Sequence, residues 1–562
     1  MHPHRTSPPG RPPRRVTISA LSLAAACSLL VTPATAEPTA TTVTAGHCAG
    51  RARLHVPGAA REQADCLDEL TTDGTVASGH TDPADYAGLT PVNLPTPRGV
   101  PGIQIDGYFP DTSTTNTDHG WNHDSQFVIR LPDHWNGGLV VAGTPGNREQ
   151  YANDRAIADW VLARGYAYAA TDKGNTGTAF HRDGRRPGDA VAEWNTRLTQ
   201  LTRAARTVVA QRYHRPPART IATGLSNGGY LVRWQLENRP ELYDGGVDWE
   251  GTLWRAAGPN PLTSLPAALR HYPDYAAGGS AAAEARAALH RAGFPAGSEF
   301  LWPYHHQVYW DLTQRIYREE LDPGYDGATE AGTPFCASGT PACDADYDYA
   351  SRPGAVHHAV GRIALTGRIG KPLITLQGTL DVLLPISEDS DVYARMVRAA
   401  GRGRLLRYYR IEDGTHTDSL VDAFPGRLRP MVPCHRSAFT ALERWITGEA
   451  PPPAGHTVAR PAGADPSALL GSCPLSWSAV HRPGTVPPGA HRPPTAARAR
   501  TMAACRSSAA AAPLLPDPNS TCWPWTRATG RATSARACCP PPTAPARVSS
   551  CATTSSAAAV PR

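Results

Sequence analysis

From Ile103 onward, short apolar runs bounded by turn residues alternate with stretches whose apolar residues recur every three or four positions. Ile103–Asp106 and the alternating run Ser125–Leu131, which stops at Pro132, read as strands. Leu139–Ala142 is a continuous apolar strand closed by Gly143, Thr144, Pro145 and Gly146. A helix is predicted over about 149–163, ended by Arg164 and Gly165, and a strand over Tyr166–Thr171. Leu198, Leu201, Ala205, Val208 and Val209 give residues 196–213 helical spacing. A β-branched run (Thr220, Ile221, Thr223) then leads into a helix from Tyr230 to Asn238. The alternation breaks after Trp249, where residues 253–370 are rich in Ala, Gly, aromatics and turn formers. It resumes with a strand at Pro372–Gln377, a helix near 391–400, a strand at Leu405–Ile411 and a helix over about 437–447. This pattern predicts an α/β fold, a mostly parallel sheet with helices on both faces. The insertion before the penultimate strand is where a lid belongs.

The ends differ from this body. Arg5, Arg11, Arg14 and Arg15 precede an apolar run from Val16 to Val31, and Ala34-Thr35-Ala36 offers a small-residue cleavage site. Residues 1–36 therefore read as a signal peptide, with Cys27 part of it and Arg14-Arg15 a weak twin-arginine signal. The expected location is outside the cell, and no other segment is apolar enough to span a membrane. Residues 37–98 form an irregular lead-in, 99–450 the α/β domain, and 451–473 a Pro-rich exit. From 474 to 562 the chain lacks Lys, Glu, Ile, Phe and Tyr. Such a low-complexity tail cannot bury enough apolar area to fold. It has two readings, a disordered tail or a shifted reading frame in a GC-rich gene, which resequencing across the codon for Pro474 separates.

Charge and cysteines follow the same division. The formal net charge is +6, but the signal contributes +4 and the tail +9, which leaves −7 on residues 37–473. An acidic body argues against nucleic acid or an anionic membrane as partner. Cys48, Cys66, Cys336, Cys343, Cys434 and Cys473 form an even set in an exported chain. Sequential pairing (48–66, 336–343, 434–473) is expected because each pair closes a local loop. None has the spacing of a zinc site.

The chemistry centres on Gly224-Leu225-Ser226-Asn227-Gly228, a G-x-S-x-G pattern between strand and helix. A serine on that turn is pushed into solvent, and glycines on both sides avoid collisions with the neighbouring elements. A serine hydroxyl needs an imidazole to take its proton and an acid to orient the ring. Asp381 follows the penultimate strand in Gln377-Gly378-Thr379-Leu380-Asp381. His416 follows the last strand in Glu412-Asp413-Gly414-Thr415-His416. The competing acids are Asp248, Glu250, Asp413 and Asp418. Two backbone N–H groups, those of Asn227 and Thr144, are expected to form the oxyanion hole, since Pro145 has none. No cofactor and no metal are expected.

Three other clusters carry weaker signals. Trp302, Tyr304, Tyr309 and Trp310 are either an aromatic wall for substrate or the core of the lid. Asp344, Asp346 and Asp348 alternate like a calcium loop but lack its glycine and terminal glutamate. His305-His306 has no third ligand at metal spacing.

With Ser226, Asp381 and His416 in this order, residues 101–450 resemble the α/β-hydrolase superfamily. More narrowly they resemble secreted esterases of the tannase/feruloyl esterase family and 3-hydroxybutyrate oligomer hydrolases. Gly224–Gly229, Thr171-Asp172-Lys173-Gly174-Asn175-Thr176-Gly177, Tyr243–Gly251 and Ala441–Trp445 carry the likeness. The resemblance implies a serine esterase acting on small or oligomeric esters. Tannase-type enzymes carry bonded cysteines beside the nucleophile and the histidine; here those neighbours are Leu225 and Thr417. A serine peptidase of the same fold and a non-catalytic binding protein are the alternatives.

Overall fold

The computed structural model describes Cys48 and residues 54–325, 344–449 and 451–475. The expected signal peptide, the Cys336–Cys343 pair and all but the first two residues of the 474–562 tail lie outside the described residues. Ten strands form one sheet: β1 (Arg61–Leu67), β2 (Gly102–Tyr108), β3 (Gln126–Pro132), β4 (Gly138–Gly143), β5 (Ala167–Thr171), β6 (Arg219–Leu225), β7 (Gly245–Trp249), β8 (Leu373–Gly378), β9 (Leu406–Ile411) and β10 (Thr457–Val458). Their order is β1-β2-β3-β5-β4-β6-β7-β8-β9-β10. β1, β2 and β3 pair antiparallel, β3 is antiparallel to β5, and every pairing from β5 across to β10 is parallel. The chain order reverses beside β4, and open α/β sheets bind ligands at the carboxyl ends of strands around such a point. This is the α/β-hydrolase fold that the sequence led us to expect, with a mostly parallel sheet.

The longer helices are α1 (Asp189–Tyr213), α2 (Asn227–Asn238), α3 (Pro261–Ala277), α4 (Ala282–Arg291), α5 (Trp310–Leu321), α6 (Gly354–Ile363), α7 (Ser390–Ala399) and α8 (Val432–Ile446). Successive strand residues face opposite sides, so each central strand feeds two cores. Val141 and Ala222 join α1, α2 and α7 in one apolar cluster. Val140 and Ile221 join Phe439 and Leu442 of α8 in the other. Burial on both faces is why these strands read as continuous apolar runs. α3 to α6 lie in the insertion between β7 and β8. Leu265, Leu269, Trp302 and Trp310 of this cap share a third cluster with Val382, Val421 and Leu428, which belong to the loops after β8 and β9.

Four segments differ from the sequence reading. The lead-in is not irregular throughout: β1 pairs with β2 over its whole length, and its polar, half-exposed side chains hid it as an edge strand. The Pro-rich exit likewise contributes β10, which pairs with β9 through two residues. The expected helix over about 149–163 is a π-turn, Asp154–Ala158, followed by the short helix Asp159–Ala163. There, polar anchors override helical spacing: Asn153 donates to the Gly143 carbonyl, Asp154 pairs with Arg130, and Asp159 accepts from Thr72. Helix α1 starts seven residues before the predicted point because Val191 and Trp194 pack into the core. Disulfides join Cys48 to Cys66 and Cys434 to Cys473.

Burial pushes the Asp85 carboxyl up to about 7 and those of Asp118 and Glu320 up to about 8. Between about pH 4 and pH 8 the fold therefore holds protons that the unfolded chain has released. The stability these three groups contribute is complete below about pH 4 and is lost as pH rises through 7 to 8. The melting temperature is expected to fall between about pH 5.5 and pH 8.5. A flat or rising profile over that interval would contradict this.

Candidate active site

β6 ends in Leu225 and α2 begins at Asn227, leaving Ser226 on the turn with φ 60° and ψ −120°. A non-glycine residue at this φ is strained and persists only where its surroundings over-determine it. Here Ser226 N donates to the Trp249 carbonyl at 2.9 Å, and its own carbonyl accepts from Tyr230 N at 2.9 Å and Thr252 N at 3.3 Å. The flanking glycines allow the close approach: a Cβ on Gly224 would lie 2.5 Å from Gly228 backbone, and one on Gly228 would strike the Gly143 carbonyl. Gly228→Ala should therefore force β4 and α2 apart, costing about 1–3 kcal/mol. Chemical denaturation checks this; an unchanged midpoint would remove the packing argument.

The loops after β8 and β9 bring two buried side chains to this turn. His416 Nε2 lies 2.9 Å from Ser226 Oγ, and His416 Nδ1 lies 2.9 Å from Asp381 Oδ2. Asp381 Oδ1 accepts from Leu383 N at 2.8 Å and Leu384 N at 2.9 Å, and Oδ2 accepts from Gln377 Nε2 at 2.7 Å. Facing an oxygen pair that already accepts from three fixed donors, Nδ1 carries the imidazole proton. Nε2 is left bare and accepts from the serine hydroxyl.

The competing acids have separate partners. Asp248 pairs with buried Arg233 at 2.6 Å and accepts from Gly251 N. Asp413 lies 3.9 Å from Arg460, and Asp418 accepts from Met431 N and Val432 N at the start of α8. Glu250 alone among them reaches His416. It is fully buried, has a left-handed φ of 52°, and places Oε2 3.4 Å from His416 Nδ1. Its Oε1 accepts from Gly378 N at 2.5 Å, and its side chain is within hydrogen-bonding reach of the Asp381 carboxyl. Burial, reinforced by the charge of Asp381, pushes this carboxyl well above the ordinary range. Burial and the neighbouring Asp381 thus favour the neutral form of Glu250.

Asn227 lines the cavity next to Ser226. As the first residue of α2, its N–H has no acceptor within the helix. Its side chain ties three elements together, donating to the Gly146 carbonyl at 2.9 Å and to Tyr317 Oη at 2.5 Å, and accepting from Thr252 Oγ1 at 3.0 Å. Thr144 is fully buried behind the loop whose Pro145, Gly146 and Asn147 face the cavity. Its hydroxyl donates to the Thr171 carbonyl at 3.0 Å and accepts from Lys173 Nζ at 2.6 Å. Lys173 is itself buried at φ 75°, and burial pushes its ammonium down to about 8. The Thr171–Gly177 segment thus buttresses the loop after β4.

The cavity has a volume of about 270 Å³. Leu312, Ile316 and Tyr317 of α5 form one wall, and Leu383 and Leu384 another. The four aromatics of the insertion divide. Trp302 and Trp310 are fully buried in the cap core, whereas Tyr304 and Tyr309 are 42% and 49% exposed. Only Tyr309 of the four lines the cavity. Asp344 meets Arg318, Asp346 lies 3.9 Å from Arg270, and Asp348 caps the turn at Ala350, so the three do not converge. His305 lines the cavity, and burial pushes it down to about 4, while His306 packs on Tyr272. Sequence spacing could not place Glu250, His305 or Arg148 here, because their approach depends on strand order and on how the cap folds back.

Two family models match the chain. Residues 112–248, which include Thr144, Ser226 and Asn227, match tannase and feruloyl esterase. Residues 337–498, which include Asp381 and His416, match 3HB-oligomer hydrolase. The D-(-)-3-hydroxybutyrate oligomer hydrolase of Cupriavidus metallidurans is 30% identical over 95 residues, 16% of this chain and 13% of that protein. The enzyme of the same name from Burkholderia cenocepacia is 32% identical over 128 residues, 22% of this chain and 18% of that one. The chain therefore spans less than a fifth of the length of these curated relatives. Among solved structures, feruloyl esterase B from Aspergillus oryzae aligns with a TM-score of 0.42 at 13% identity, covering 71% of this chain and 90% of that one. The chain resembles the tannase and feruloyl esterase family through the stretch holding Ser226, and the 3HB-oligomer hydrolases through the stretch holding Asp381 and His416.

Proposed function

We propose that this chain is a serine esterase, hydrolysing small or oligomeric carboxylic esters through an acyl-enzyme. The observation that carries the reading is the unbroken hydrogen-bonded series Ser226–His416–Asp381 at the elbow of an α/β-hydrolase fold. Ser226 Oγ attacks the ester carbonyl carbon as its proton passes to His416 Nε2. Asp381 holds the ring and stabilises the imidazolium. The oxyanion lies against the Asn227 N–H and a second N–H of the loop after β4, for which Thr144 remains the assignment. Collapse expels the alcohol, which takes the proton from Nε2. Water then attacks the acyl carbon, gives its proton to Nε2, and the acid leaves as Ser226 regains its hydrogen. The relatives' printed names and the apolar walls of the cavity support an ester substrate with a short aliphatic or aryl acyl part.

The same reading divides the chain into a signal over residues 1–36, a lead-in, and a catalytic domain over 99–450 whose insertion caps the site. Two disulfides support export to an oxidising compartment. The acidic body supports neither nucleic acid nor an anionic membrane as partner. A fluorophosphonate probe tests the mechanism: it should label Ser226 in the folded protein, and the protein should cleave p-nitrophenyl butyrate faster than peptide amides. Absence of labelling would favour a binding protein on a hydrolase scaffold. Preferential amide cleavage would make the chain a peptidase.

A further inference from the structure

One charged side chain on the cavity wall has no role in this chemistry. Arg148 follows the turn after β4 and is the one lining residue with a permanent charge; none of the lining residues is Asp, Glu or Lys. Its Nη1 donates to the carbonyls of Asp85 at 3.0 Å and Ala87 at 2.9 Å. Ala87 is followed by Gly88 and Leu89, which line the same cavity, so these bonds hold the guanidinium against its wall. No described side chain accepts from Nε or Nη2, and no described carboxylate lies within ion-pair distance, so the acidic groups of Glu149 and Asp85 act on the guanidinium only at longer range.

This differs from the treatment of other enclosed arginines. Arg130 meets Asp154, Arg233 meets Asp248 and Asp389, and Arg318 meets Asp344. Arg429 is also held by carbonyls, but it packs against Cys473 and away from the cavity. Burial pushes the Arg148 guanidinium below its ordinary range without bringing it near neutrality. A desolvated cation held by two neutral carbonyls retains most of its capacity to bind an anion, and its planar fork suits a carboxylate.

We propose that Arg148 forms an anion subsite, and that the preferred substrates are esters bearing a free carboxylate on the part of the molecule beyond the scissile bond. An oligomer of a short hydroxy acid has this chemistry at its acid end. A neutral alkyl ester does not. The inference rests on the esterase reading and adds to it the charge of the substrate.

The test compares a hydroxy-acid ester dimer carrying a free terminal carboxylate with the same dimer capped as its primary amide. Both are assayed for cleavage of the internal ester, with p-nitrophenyl butyrate as an uncharged reference. Wild type is expected to favour the acid over the amide by about 10-fold or more in kcat/KM at low ionic strength, the range of a charge-assisted hydrogen bond. The ratio should shrink as salt rises. Arg148→Gln should bring the ratio to near one, chiefly through KM for the acid, and Arg148→Lys should retain part of it. If wild type cleaves the reference ester but shows no preference for the acid, the subsite is wrong and the esterase reading stands. An unaltered preference in Arg148→Gln overturns the assignment to this residue. If wild type cleaves none of the three esters, the esterase reading itself has failed. Should Arg148→Gln not fold, because Arg148 also tethers the Asp85–Ala87 segment, Arg148→Lys and the salt dependence of the wild-type ratio decide the matter.

Discussion

Ser226→Ala is expected to lower kcat on p-nitrophenyl butyrate by about 10⁴- to 10⁶-fold while leaving the melting temperature little changed. The hydroxyl removed is the proposed attacking atom and contributes almost nothing to packing, since Ser226 is only half-buried and its Oγ is engaged by His416. The backbone bonds that hold the turn, from Ser226 N to Trp249 and from Tyr230 and Thr252 to the Ser226 carbonyl, do not involve the side chain. The cavity and the Asn227 N–H survive in the variant. Substrate should still bind, and residual turnover should come from the site's donors alone. A variant retaining more than about 1% of wild-type kcat would mean that Ser226 is not the nucleophile.

The second large effect separates the two carboxyl groups behind His416. Asp381→Asn is expected to cost about 10³- to 10⁴-fold in kcat, because an amide donor facing Nδ1 disfavours the tautomer that leaves Nε2 free. Glu250→Gln should cost no more than about 10-fold, since a neutral amide resembles the neutral acid that burial and Asp381 impose at that position. The kcat/KM–pH profile adds a second measure. Removing a neutral group leaves its acid limb in place, whereas removing a negative charge 3.4 Å from Nδ1 would move that limb to lower pH. The reverse ranking of the two variants would make Glu250 the orienting acid and Asp381 its support.

Local pattern made the central sheet legible. Val140 and Val141 face opposite cores, and runs of that kind declare a doubly covered strand in one dimension. Edge strands gave no such signal. Arg61–Leu67 is polar because its side chains are half-exposed, and only its pairing with β2 defines it. The elbow and the loops carrying Asp381 and His416 were readable because chain order and strand ends restrict where those groups can lie. In the sequence Glu250 is only a rival acid; its contact with His416 Nδ1 requires β7 and β8 to be neighbours and Glu250 itself to adopt a left-handed backbone. The split of the lid aromatics into buried tryptophans and exposed tyrosines was equally hidden, since composition does not say which face of a cap points inward.

The apolar cluster that the cap shares with the loops carrying Asp381 and His416 has a mechanical consequence. Trp310 Nε1 donates to the Val382 carbonyl at 2.8 Å, one residue beyond Asp381, and Val421 and Leu428 extend the same cluster past His416. A cap so fastened is a roof bolted to the machinery beneath it rather than a hinged door. Displacing it would pull on the loop that holds Asp381, so the packing of the insertion and the position of the Asp381 carboxyl are tied together.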